Sequence, residues 1–230
     1  MSKKKNANTP DELQKVQSAL GKSEAFIENN IKQLAIGVLI IAVIVAGIVI
    51  FRTQYQAPRE ARAQEQIFRG EAYFAADSFR VALDGNGVDY IGFKSIIKQY
   101  GMTNTANLAK AYAGASYYHL GEYKTALDYL KGFKAKDNLI APAFVGLTGD
   151  CYIELGDVNK AISYFEKAAK QANNDIVSPV FLKKAAIAYE SQGKYDKAIA
   201  HYNTIKEKYH RSNEAFDIER YIYRAELLRK

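Results

Sequence analysis

The chain has 230 residues, 48% of them apolar, with a net charge of +7 from 32 basic and 25 acidic residues and a single cysteine, Cys151. One cysteine excludes an internal disulfide and a cysteine-based zinc site, and it leaves the compartment open. The charge is thinly spread: +2 over residues 1–33 (six Lys against four acids), +1 at Arg52 and +4 over 53–230 (25 basic against 21 acidic), a pattern that gives no footing for nucleic-acid binding.

Residues 1–33 form a tail of mixed charge that starts with Lys3, Lys4 and Lys5. Leu13, Val16, Ala19 and Leu20 share one face at helical spacing. The simpler expectation is a solvated tail with transient helicity. The alternative is a short amphipathic helix on a membrane surface, helped by the three lysines.

Residues 34–51, LAIGVLIIAVIVAGIVIF, are eighteen apolar residues in succession between Lys32 and Arg52. As a helix they rise about 27 Å, close to the roughly 30 Å of a bilayer's hydrocarbon core. A cleavable signal has a shorter apolar core and a small-residue exit site close behind it, and a soluble core helix is expected to carry some polar residues. The expectation for 34–52 is an uncleaved, single-pass transmembrane anchor. Ala42 and Ala46, with Gly47 beside them, form a small-xxx-small pair that offers a helix-packing face, although small residues are ordinary in any membrane helix.

Residues 53–106 read as a helical stalk and a degenerate copy of the repeat unit found further along the chain. REARAQEQIFRGEAYFAADSFRVALDG is one long helical pattern stopped by Gly85-Asn86-Gly87, and a second helix ends near Tyr100. The glycine pair lacks the spacing and the preceding strand of a dinucleotide-binding turn.

Over 107–210 a phrase recurs three times: YYHLGEYKTALDYLKGF (117–133), YIELGDVNKAISYFEKA (152–168) and YESQGKYDKAIAHYNTI (189–205). Each predicts two antiparallel helices joined by a turn at Gly121, Gly156 or Gly193, with Ala126, Ala161 and Ala198 letting the helices approach. Tyr123, Tyr129, Tyr164, Phe165, Tyr195 and Tyr202 are expected to fill the space within and between pairs. No such pair buries its apolar face alone, so neighbours must stack. The phrases resemble the tetratricopeptide repeat, although the proline expected at the end of each copy is missing and the first copy has Lys110 at a bulky position. Residues 211–230 predict a capping helix, starting at Ser212 or Asn213, with Ile218, Tyr221, Ile222 and Ala225 on its inner face and Arg220, Arg224 and Arg229 outward. The predicted fold class is all-α: one transmembrane helix followed by a short α-solenoid.

No catalytic constellation is legible. His119, His201 and His210 form no metal-ligand or triad spacing, and no cofactor, metal or enzyme activity is expected. The repeat resemblance implies instead a concave face, lined by the first helix of each pair, where proteins or peptides dock. Carried onto this chain it places there Leu108, Ala111, Ala115 and Tyr118, then Ala143, Gly146, Asp150 and Ile153, then Val180, Lys183, Ile187 and Glu190. Each of these residues can equally face a neighbouring helix and bind nothing.

Membrane orientation is not set by charge. Arg52, Arg59, Arg62 and Arg69 outnumber Lys15, Lys22 and Lys32, which taken literally keeps the repeats inside, but Lys3, Lys4 and Lys5 offset this and long domains translocate regardless. The layout of charged tail, single anchor, helical stalk and terminal repeat domain is similar to the bacterial ancillary SecYEG translocon subunit family. That resemblance implies an inner-membrane protein with a cytoplasmic N-terminus and a periplasmic repeat domain, whose partners are the Sec translocon, periplasmic chaperones or emerging chains. A scaffold for an envelope complex, self-associating and without clients, is the alternative reading. A third keeps the repeats in the cytoplasm as an adaptor.

Overall fold

The computed structural model describes residues 10–134 and 137–230, with side chains from Phe26 onward and at Gly21. Lys3, Lys4 and Lys5, and the side chains of Leu13, Val16, Ala19 and Leu20, lie outside the described residues. Every regular element among the described residues is helical. The chain divides into two units, Met1–Ala57 and Pro58–Lys230.

The first unit holds α1 (Pro10–Ile50) and a π-helical segment, Phe51–Gln56. The apolar side chains of 34–51 are exposed, as are Ala42 and Ala46, and a Cβ on Gly47 would meet nothing within 4 Å. In the π-helical segment the Thr53 hydroxyl donates to the Val49 carbonyl at 2.9 Å and Phe51 stacks on Tyr55. Such hydroxyl-to-carbonyl bonds compete with the regular ladder. One helix among the described residues is long and apolar enough to cross a membrane, and it contains this run.

The second unit opens with α2 (Ala57–Ala75), α3 (Phe79–Asp84) and α4 (Phe93–Gln99). Three helix pairs come next: α5 (Asn104–His119) with α6 (Tyr123–Gly132), α7 (Ile140–Glu154) with α8 (Val158–Ala172), and α9 (Ser178–Glu190) with α10 (Tyr195–Lys208). A 3-10 turn, Asn213–Ala215, and α11 (Ile218–Arg229) close the unit.

The turn inside each pair has one design. Gly121, Gly156 and Gly193 take φ of +76°, +79° and +68°, and the next amide reaches back to a tyrosine carbonyl: Glu122 to Tyr117, Asp157 to Tyr152 and Lys194 to Tyr189, at 2.9–3.0 Å. Such a turn satisfies carbonyls that a helix end would leave bare. The same turn occurs a fourth time, where the sequence shows no glycine. Asp77 takes φ +54° and Ser78 donates to the Tyr73 carbonyl at 2.9 Å. The single long helix expected over 59–84 is therefore a pair, α2 and α3, because Asp is one of the few residues besides glycine that tolerates this backbone region.

Ala126, Ala161 and Ala198 are fully buried, as the spacing predicts. Opposite them Gly114 and Gly149 allow close approach, since a Cβ on either would sit 2.6 Å from Leu130 or from the Phe165 ring. Phe165 and Tyr202 are core residues, whereas Tyr123, Tyr129, Tyr164 and Tyr195 are half-buried. In α11, Ile218 and Ala225 are buried and Tyr221 and Ile222 half-buried. Ser212 caps the 3-10 turn rather than α11, its hydroxyl accepting from Ala215 at 3.2 Å. Arg220, Arg224 and Arg229 point outward and pair with Asp217, Glu190 and Asp196.

Candidate functional site

Two adjoining cavities lie on the face formed by the first helices, between α7, α9 and the 3-10 turn. One, of about 310 Å³, is lined chiefly by Ile153, Val158, Phe165, Ile187 and Ala188, with Asp150 and Lys184 at its edge. The other, of about 500 Å³, runs from Val180 and Lys183 to Asn213, Phe216 and Asp217. They share Lys184 and Ile187.

The cations of this groove are neutralised in place. Lys184 donates to both oxygens of Asp150, at 2.8 and 2.7 Å, and lies 5.7 Å from the Phe165 and Phe181 ring centres. Lys183 donates to Asp217 at 2.9 Å and covers the Tyr221 ring at 4.2 Å. The Lys183 ammonium holds the Asp217 carboxyl below the usual carboxylate range against the opposing effect of burial. The groove therefore offers apolar walls between two internally balanced ion pairs, a surface suited to a segment with spaced apolar side chains.

Five of the twelve residues predicted for the concave face line these cavities: Asp150, Ile153, Val180, Lys183 and Ile187. Leu108 and Tyr118 are half-buried, and Ala143 is exposed away from the cavities. Ala111, Ala115 and Gly146 are buried and belong to helix packing; a Cβ on Gly146 would lie 1.9 Å from the Phe181 ring of α9. Glu190 is held inward, accepting from the Tyr202 hydroxyl at 2.6 Å and pairing with Arg224 at 2.9 Å.

Sequence reasoning missed Lys184, Val158, Phe165, Phe216 and Asp217 as groove residues. A signal was there. Asp150 and Lys184, Lys183 and Asp217, and Glu190 and Arg224 are opposite charges 34 residues apart, one repeat, and each couple forms an ion pair that ties a first helix to the next one, to the residue before α11 or to α11 itself.

Cys151 beside the groove is buried, and burial, with Asp150 adding to it, pushes its thiol up to about 12. It is a packing residue, not a ready nucleophile. No group of three or more His, Cys, Asp or Glu residues among the described residues is placed to hold a metal ion.

Models of the tetratricopeptide repeat match residues 147–175 and 180–212. The chain carries tetratricopeptide repeats. Among solved structures it is similar to a Podosopora anserina kinesin light chain with nearly identical TPR-like repeats (12% identity, 74% of this chain and 87% of that one, TM-score 0.56). It is also similar to the MamA protein (20% identity, 73% and 84%, TM-score 0.53). At these identities the likeness is one of fold. No curated protein matches the sequence. A tetratricopeptide array is a protein-interaction scaffold, and the matched residues fall on the pairs α7–α8 and α9–α10.

Proposed function

We propose that this protein is a membrane-tethered module that binds polypeptide segments in the groove between α7, α9 and the 3-10 turn. The observation that carries the reading is the pair of adjoining cavities, apolar at Ile153, Phe165 and Ile187 and flanked by ion pairs that need no countercharge from a ligand. The tether is the apolar run 34–51, and holding a weak binder at a membrane raises its effective concentration toward partners that emerge there. The finer assignment places the repeats on the periplasmic side of a bacterial inner membrane, serving exported chains beside the translocon or within a chaperone network. Its support is the order of tail, apolar run and terminal repeats. The alternative is a structural adaptor of an envelope complex.

The test is a photo-crosslinking residue at Ile187 or Ile153 in the full chain, with Ser163 on a second helix as control. Crosslinks from the two groove positions to many unfolded or nascent chains are expected. One stoichiometric partner favours the adaptor, and crosslinking no stronger than at position 163 refutes groove binding. A compartment reporter fused after Lys230 decides orientation, and recovery of translocon subunits with the intact chain decides the translocon assignment.

A further inference from the structure

The loops that connect one pair to the next all fall at one edge of the repeat unit, because first helices run antiparallel to second helices. Hydrogen bonds among these loops and the helix ends beside them trace that edge. Asn107 and Lys134 exchange two bonds at 2.7 and 3.1 Å, Asn174 donates to the Asn138 carbonyl at 2.7 Å, and Lys208 donates to Asn173 at 2.8 Å. These polar side chains are thus used in joining neighbouring loops and helix ends.

Each loop also presents a large apolar side chain to solvent, one or two residues before the next first helix begins. Leu139 is 54% exposed, with Ile140 behind it at 57%, and Ile176 is 72% exposed; Phe216, 98% exposed at the corresponding place, also lines the groove. Met102, at 60%, occupies the corresponding loop before α5. The positions 102, 139, 176 and 216 recur at about one repeat length, so the exposure is periodic. Scattered single apolar residues are normal on a surface, whereas a row on one edge is not.

Cations accompany the row. The second helices end in Lys131, Lys170 and Lys208, α4 ends in Lys98, and the loops add Lys134 and Arg211. A basic last turn also complements the helix dipole, but that accounts for neither the loop cations nor the apolar tips. Of the acids at this edge, Asp137 is occupied in accepting from the amides of Leu139, Ile140 and Ala141, Glu60 accepts from those of Asn104 and Thr105, and Asp217 pairs with Lys183, leaving Asp175, Glu207 and Glu214 against six cations.

We infer that this edge docks on the surface of an anionic lipid bilayer, with Leu139, Ile140 and Ile176 entering the headgroup layer and the flanking lysines meeting lipid phosphates. Apolar tips separated by a repeat, on loops whose Leu139 and Ile176 lie outside the groove between α7, α9 and the 3-10 turn, suit a soft surface better than the concave pocket of a protein partner. Apolar insertion combined with positive charge is the chemistry by which peripheral surfaces read acidic membranes. The inference extends the tethered-module reading and rests on it for one point, that a bilayer lies within reach of the repeats.

The experiment places an environment-sensitive fluorophore on Ile176→Cys or Leu139→Cys in the full chain, with Lys124→Cys at the opposite edge as control. Each is reconstituted in phosphatidylcholine vesicles and in vesicles containing phosphatidylglycerol. A blue shift at 176 and 139 on the anionic vesicles, and none at 124, is expected. Lys170→Gln should lower the docked-to-free ratio about fivefold, the effect of one cation near such a surface. Probes that stay aqueous on both vesicles overturn the inference. So does an equal shift without lipid that grows with protein concentration, which assigns the edge to a second copy. So does a shift reversed by an acidic polypeptide, which assigns it to a protein. Alkaline extraction tests the tether separately: if the chain is released from vesicles, the tether reading fails, and the same probes with added anionic vesicles still decide the edge.

Discussion

Gly146 and Asp77 show how much one position decides. The place of Gly146 in the repeat puts it on a binding face, yet the Phe181 ring occupies the space a Cβ needs. Gly146→Ala is expected to destabilise by about 1–3 kcal/mol through overpacking, measured by denaturant unfolding. Gly156→Ala, where nothing lies within 4 Å but φ is +79°, should cost about 1 kcal/mol from backbone strain alone. Asp77→Gly should run the other way and raise stability by up to ~1 kcal/mol, since it relieves a left-handed residue at the fourth turn. An unchanged or lowered unfolding midpoint for that variant would contradict the account of the α2–α3 turn.

At the scale of elements, the joints between helices are made by charges and caps reaching across a repeat. The Glu60 carboxylate on α2 accepts from the amides of Asn104 and Thr105, at 2.8 and 3.0 Å, and from the Thr105 hydroxyl, so it caps α5 from another helix. Glu60→Ala is expected to cost about 1–2 kcal/mol, with hydrogen exchange rising first at the start of α5. Lys183 and Asp217 join α9 to the residue that precedes α11. The Asp217 carboxyl is depressed in the folded state by Lys183, so the stability it contributes is present above the ordinary carboxyl range and lost as pH falls through the folded value. The pair is partly exposed, and the loss is expected to stay within ~1 kcal/mol. A smaller drop in unfolding midpoint between about pH 7 and pH 3 for Lys183→Met than for the parent chain would bear this out; equal drops would remove the pair from the account.

Over the whole repeat unit, stability passes from neighbour to neighbour, because each pair buries part of its apolar surface on the next. α11 seals the last pair, its Ile218 and Ala225 joining Tyr202 and Ile205 in the common core. Ala225→Asp places an unpartnered charge in a site with no exposure and is expected to cost several kcal/mol. Protection from exchange should fall most in α10 and α9 and least in α5; a uniform fall would mean that the unit unfolds as one block.

Much of this is legible in sequence because it depends on local chemistry repeated at a fixed interval. The glycine turns, the buried alanines at 126, 161 and 198, the helical class and the apolar run at 34–51 each come from residue type and spacing along the chain. The turn at Asp77 is hidden because the backbone, not a glycine, defines it. The groove is half legible: spacing can assign Asp150, Ile153 and Ile187 to first helices, but it cannot say how far a helix rotates about its axis when a neighbour packs on it. That rotation buries Ala111, Ala115 and Gly146, turns Glu190 inward to Tyr202, and brings Phe165 from a second helix into the cavity wall. Residue order dictates which pairs form and where they turn, since both are settled within a few residues. Which faces stay open is settled in three dimensions, because it depends on side-chain volumes meeting across helices more than thirty residues apart.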